Sequence, residues 1–151
     1  MLTAKDIMTR GVITVRPELP VKELAALLLA HRIGGAPVVD ADKKLLGVVT
    51  ESDLIDQGKN VHIPTVISIL DSVVFLENPN KMDKEIKKMA GCTVRDICAS
   101  ELVTVTEETP LCDIATIMSE KKIHTLPVMS DGLLVGVIGK TDLIRVISQG
   151  G

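Results

Sequence analysis

Apolar and polar positions alternate along this chain in short blocks, and the series of blocks is spelled twice. In the first pass, Thr3 to Met8 predicts a short helical start and Val12-Ile13-Thr14-Val15 a brief strand. Val21, Leu24, Ala25 and Leu28 then recur at helical spacing behind Pro20. That helix should end near Ile33-Gly34. Two apolar strands follow, Ala36 to Val39 and Leu45 to Thr50, joined by the polar turn Asp40-Ala41-Asp42-Lys43, and a last helix begins around Thr50 and carries Asp53, Leu54 and Ile55. The second pass repeats the design, with Thr109 as N-cap, Pro110 behind it, and Leu111, Ile114, Ala115 and Met118 on one helical face.

The two passes match in register. Asp6, Thr14, Pro20, Pro37, Gly47 and Asp53 recur as Asp96, Thr104, Pro110, Pro127, Gly136 and Asp142, with one residue dropped in the turn after Val39. A duplicated supersecondary unit implies an approximate twofold axis and a cleft between equivalent surfaces, which is where function belongs. The uninterrupted apolar strands LLGVV and LLVGVI predict burial on both faces, with helices packed on a small sheet. The fold class expected is α+β: two repeats, each β-α-β-β-α, over residues 1–56 and 93–151, related by pseudo-twofold symmetry.

The segment between them, 57–92, has no counterpart. Its run VISILDSVVFLE is apolar almost all round, Asn78-Pro79 breaks it, and Asn80 can cap a second, amphipathic helix that Gly91 ends. A helical insert is expected there, serving either to pack on its own repeats or to hold a dimer or protein partner.

Composition narrows the chemistry. A chain of 151 residues is about one domain long and can bury a core without disulfide staples. Its three cysteines, Cys92, Cys98 and Cys112, form no CxxC pair and read as buried, reduced thiols of a cytoplasmic protein. A net charge of −3 with scattered lysines argues against nucleic acid. The opening MLTAKDIMTR carries no apolar signal core, and no run approaches the roughly 20 apolar residues of a membrane span. With no Trp, no Tyr and only Phe75, aromatic stacking cannot build a ligand site. His31-Arg32 complements the end of its helix, with phosphate steering as the alternative, His62 reads as a loop residue, and neither metal-ligand spacing nor a nucleophile paired with a base is present, so no metal and no enzyme activity are expected.

The most informative local motif is Gly47-Val48-Val49-Thr50-Glu51-Ser52-Asp53, a strand that ends in hydroxyls and opens a helix with an acid in its first turn. Free N–H groups and the helix dipole favour phosphate there, Thr50 and Ser52 can donate to its oxygens, and a carboxylate can accept from a ribose diol. The same Thr-x-x-Asp is also an ordinary capping arrangement. In the second copy Gly139 has lost the hydroxyl while Asp142 remains and Lys140 adds a cation, which favours the ligand reading without closing the question.

Taken together, DIMT, ITV, GGAPVVD, GVVTESDLI and their second-copy equivalents HTLPVMS and GVIGKTDLI resemble a tandem CBS-domain pair, or Bateman module, over nearly the whole chain outside the insert. The resemblance implies a regulatory binding module that takes an adenosine-containing ligand between its repeats: AMP, ADP or ATP, with S-adenosylmethionine, NAD or a ligand-free interaction scaffold as alternatives. It makes Asp53 and Asp142 ribose acceptors, and Thr50, Ser52 and Thr141 phosphate contacts with Lys140 nearby. His124 falls where a nucleotide-sensing member of this family, the gamma subunit of AMP-activated kinase, places a phosphate-binding His or Arg. Adenine would lie between Ile13-Thr14 or Val103-Thr104 and the turn Ala36-Pro37-Val38 or Leu126-Pro127-Val128, read mostly by backbone. Because Gly34-Gly35 stands where the second copy has His124-Thr125, one good site rather than two equal ones is expected, in a module that pairs as a homodimer.

Overall fold

The computed structural model describes residues 1–57, 92–99 and 101–150, with no side-chain description for Asp56 and Gln57. The expected helical hairpin falls on 58–91, outside the described residues. Among those described, no helix is long and apolar enough to cross a membrane.

The element order is α1 (Ala4–Ile7), α2 (Val21–His31), β1 (Gly35–Val39), β2 (Leu45–Thr50) and α3 (Glu51–Gln57), then α4 (Val94–Ile97), β3 (Val105–Thr106), α5 (Leu111–Lys121), β4 (Thr125–Ser130), β5 (Leu133–Gly139) and α6 (Lys140–Ser148). In the second half β3 runs parallel to β4, and β4 pairs antiparallel with β5, Thr125 opposite Gly139. The first half pairs β1 with β2 in the same way, Gly35 opposite Thr50. Its third strand shrinks from the expected Val12–Val15 to a single parallel bridge, Val15 to Val38. Pro17 has no N–H to carry the ladder past Val15, where the second copy has Glu107 and β3 reaches Thr106; residues 12–14 stay outside the ladder, as do their equivalents 102–104.

Local chemistry sets the element ends. Both long helices take the proline itself, Pro20 or Pro110, as N-cap. Thr109 is therefore not the cap it was expected to be; its hydroxyl accepts from the Thr106 N–H at 3.0 Å and closes the preceding turn. Each helix stops on a left-handed residue, Arg32 or Lys122, one turn residue earlier than the apolar pattern suggests. The dropped residue lies where Asp131 and Gly132, both at positive φ, make a tight hairpin turn in place of the longer first-copy turn held by Asp40.

Burial on both sheet faces holds for β1 and the start of β4, but β2 alternates and leaves Leu46 exposed. Here an apolar run conceals a period of two, because Leu45, Gly47 and Val49 face in while Leu46 does not.

The repeats exchange their opening segments. Ala4, Ile7 and Met8 from the first copy share a core with Val105, Ile114, Met118, Leu126, Val128 and Ile138 of the second. In return Val94 packs among Val15, Leu24, Leu28, Ala36, Val38 and Val49. Backbone hydrogen bonds tie both exchanges: Ala4 N–H to the Thr109 carbonyl at 2.9 Å and Thr9 N–H to that of Val137 at 2.8 Å, mirrored by Val94 N–H to Leu19 at 2.9 Å. This explains the recurring glycines. A Cβ on Gly47 would meet Cys98 Sγ at 2.8 Å, and one on Gly136 would strike the Met8 side chain, so each exchanged segment presses its sulfur onto a bare strand backbone.

Candidate functional site

Between the halves lies a cleft of about 1450 Å³ whose walls come from both copies. Of the residues singled out from the sequence, Ile13, Pro37, Thr50, Ser52, Asp53, Val103, His124, Lys140, Thr141 and Asp142 line it. Thr14, Ala36, Val38, Thr104, Leu126, Pro127 and Val128 do not. Ala36, Val38, Leu126 and Val128 are core side chains, and Thr104 borders a separate hollow of about 420 Å³ beside Thr106 and Thr109.

The strand-to-helix turns deliver the acids. Asp53 accepts from the Thr50 N–H at 2.8 Å and the Thr50 hydroxyl at 3.2 Å, while the Asp53 N–H donates back to Thr50 Oγ1 at 3.4 Å. Both halves of a capping box are thus made in copy one. Asp142, almost fully buried, accepts from the Gly139 N–H at 2.7 Å, so it still caps its helix although the hydroxyl is gone. The survival of Asp142 beside Gly139 therefore needs no ligand to account for it. Asp142 also accepts from the Thr9 hydroxyl at 3.2 Å and pairs with Arg145 at 3.0 Å.

These partners make the two turns unlike. Ala99 stands where the first copy has Thr9, and Asp56 where the second has Arg145. At the helix start, Glu51 donates its N–H to the Gly34 carbonyl at 2.9 Å, and its carboxylate fills the space beside Gly34. The equivalent Lys140 N–H donates to the His124 carbonyl at 3.2 Å. The same spot therefore holds glycine and a carboxylate in one half, histidine and an ammonium in the other. Arg145 adds to the cationic half, while Lys122 and its first-copy equivalent Arg32 both line the cleft and leave that contrast unchanged.

Several cleft residues escaped the sequence reading. Thr9 reaches the site only because the opening segment crosses to the other repeat. Arg145 had a signal, since it sits three residues after Asp142 on the same helix. Thr125 is buried, lines the cleft, and its hydroxyl presses on Gly35, where a Cβ would lie 2.6 Å away. The cysteines are not buried as expected: Cys112 is exposed and the other two are half-buried. Burial, and then the nearby Asp53 carboxylate, push the Cys98 thiol up, so it stays protonated beside the first turn. Among the described residues no group of three His, Cys, Asp or Glu could hold a metal ion.

Comparison with known proteins places this geometry. The CBS-domain family profile matches residues 4–60 and 94–149. The chain is 34% identical to the chloroplastic CBS domain-containing protein CBSX1 of Arabidopsis thaliana, a match that covers 97% of this chain and 64% of the plant protein. It thus spans just under two thirds of that relative's length. The structure of CBSX2 in complex with AMP superposes with a TM-score of 0.71, at 29% identity over 99% of this chain and 98% of that one. The CBS domain of a membrane protein from Sphaerobacter thermophilus aligns with a TM-score of 0.73, at 29% identity over 96% and 87%. The chain belongs to the CBS-domain family and is a tandem CBS pair.

Proposed function

We propose that this CBS pair is a regulatory module that binds an adenine nucleotide in the cleft between its repeats. One observation carries the reading: a single cleft gathers Asp53 and Asp142 with the hydroxyls of Thr50, Ser52 and Thr141 and the cations of Lys140 and Arg145. Carboxylates suit a ribose diol and the hydroxyls and cations suit phosphate, while the apolar remainder, including Ile13, Pro37, Val48 and Val103, suits the faces of a base. The AMP complex of CBSX2 supports the same ligand class.

The second half is the stronger phosphate site. His124 and Lys140 stand there where the first half offers Gly34 and Glu51, so an anionic tail meets attraction on one side and a carboxylate on the other. The first half keeps Asp53 and Thr50 and takes a nucleotide more weakly. Output passes through a partner or through the geometry of a homodimer, which requires the ligand to bind two arrangements with different affinities.

The test is direct. Protein purified without stripping and then denatured should release an absorber at 260 nm, conspicuous because the chain has neither Trp nor Tyr. In a thermal-shift panel of AMP, ADP, ATP, S-adenosylmethionine and NAD, a nucleotide at a hundredfold excess over its Kd should stabilise the fold by about 2.7 kcal/mol. A shift with S-adenosylmethionine or NAD alone would change the ligand. No shift with any of the five would overturn the reading and leave a ligand-free scaffold.

A further inference from the structure

The second half of the cleft holds an ion pair on the very carboxylate assigned to the ribose. Asp142 is 7% exposed at its side chain and Arg145 54%. One Asp142 oxygen caps Gly139, and the other is taken by Arg145 and Thr9. A ribose diol arriving at Asp142 finds the second oxygen already occupied. The guanidinium is the mobile partner: it is half-exposed, lines the cleft, and gives Asp142 a hydrogen bond through Nη1. A guanidinium has five N–H donors in a fork that matches phosphate. A second observation marks the same end of the cleft. The Thr125 hydroxyl, in a residue 7% exposed, has no hydrogen-bond partner among the described residues, and an unsatisfied buried hydroxyl awaits an acceptor.

Resting on the nucleotide reading above, we propose that Arg145 selects the ligand's tail. On binding it leaves Asp142 for the anionic group, and Asp142 turns its freed oxygen to the sugar. A ligand with an uncharged tail offers Arg145 nothing in exchange, so the ion pair works against it. The first half lacks this device, because Asp56 replaces the arginine.

AMP and adenosine, titrated calorimetrically into the full chain, separate the possibilities. Wild type should prefer AMP. In Arg145→Gln, AMP should weaken about tenfold to a hundredfold, as expected for a lost charged hydrogen bond, while adenosine binds unchanged or more tightly because Asp142 is no longer paired. Should that variant fail to fold, Arg145→Lys keeps the charge, loses the fork, and should lower the AMP-to-adenosine preference by a smaller factor. A preference unchanged in the folded variant, or both ligands weakened alike, would overturn the role of Arg145 while leaving the site standing. Wild-type protein that binds neither ligand would bring down the site itself.

Discussion

Gly35 and Thr125 occupy the same position in the two copies and meet across the interface between them. A Cβ on Gly35 would lie 2.6 Å from Thr125 Oγ1 and 3.0 Å from both Thr50 Cγ2 and the Val49 carbonyl. Gly35→Ala should therefore destabilise the fold by about 1–3 kcal/mol. Adding Thr125→Ala should recover part of that loss, since it removes one obstruction and leaves Thr50 Cγ2 and the Val49 carbonyl. A double-mutant cycle in urea checks the coupling, and strict additivity would refute the contact. Charge matters at this scale too. The Thr3 N–H and hydroxyl both donate to Asp6 and hold its carboxyl below the ordinary carboxylate range. A carboxylate whose pKa falls on folding stabilises above its unfolded pKa, and the effect disappears as pH drops through the folded one. The stability gap between wild type and Asp6→Ala should accordingly be widest near neutrality and close in acid. A gap that stays constant with pH would show that the charge is not responsible.

The exchanged opening segments decide how the elements depend on one another. Helix α1 has four residues and cannot hold its shape alone, yet Ala4, Ile7 and Met8 are buried because β4, β5 and α5 surround them. Ile7→Ala should cost about 2–5 kcal/mol. Hydrogen exchange should register the damage in the other repeat, with Val128 and Ile138 losing protection before Val38 and Val49. Loss confined to β1 and β2 would contradict the exchange. From the sequence, α1 was legible as a short helical start over Thr3 to Met8, repeated in the second copy; the structure adds that Thr3 with Asp6 and Thr93 with Asp96 form capping boxes. Which repeat each would join was not legible, because the apolar face of so short a helix fits either core.

For the whole molecule, Ile55 and Ile144 mark a surface repeated in both halves. They sit at equivalent positions on α3 and α6, and both are more than half exposed, as is Ile147. Exposed apolar side chains repeated on related helices, with Ile55 at the edge of the cleft, fit a second copy of this chain, and we expect a homodimer there. Ile144→Asp should shift sedimentation from dimer toward monomer while leaving thermal unfolding of the monomer within about 0.5 kcal/mol of wild type. A wild type that sediments as a monomer would remove this expectation.

Short-range chemistry was written openly in the chain: the duplication, the amphipathic helices, the hairpin strands, and the turns that present Asp53 and Asp142. Those features depend on residues a few positions apart, so a periodic pattern or a cap displays them directly. Packing alone revealed that the opening segments cross over, that LLGVV hides an alternating strand, and that Asp142 is held by Thr9 from 133 residues away. It also turned equivalent acids into unequal ones, one boxed by its own threonine and the other paired with Arg145. Such contacts join segments that no local pattern relates, and they exist only once the folded chain brings both repeats to a common cleft.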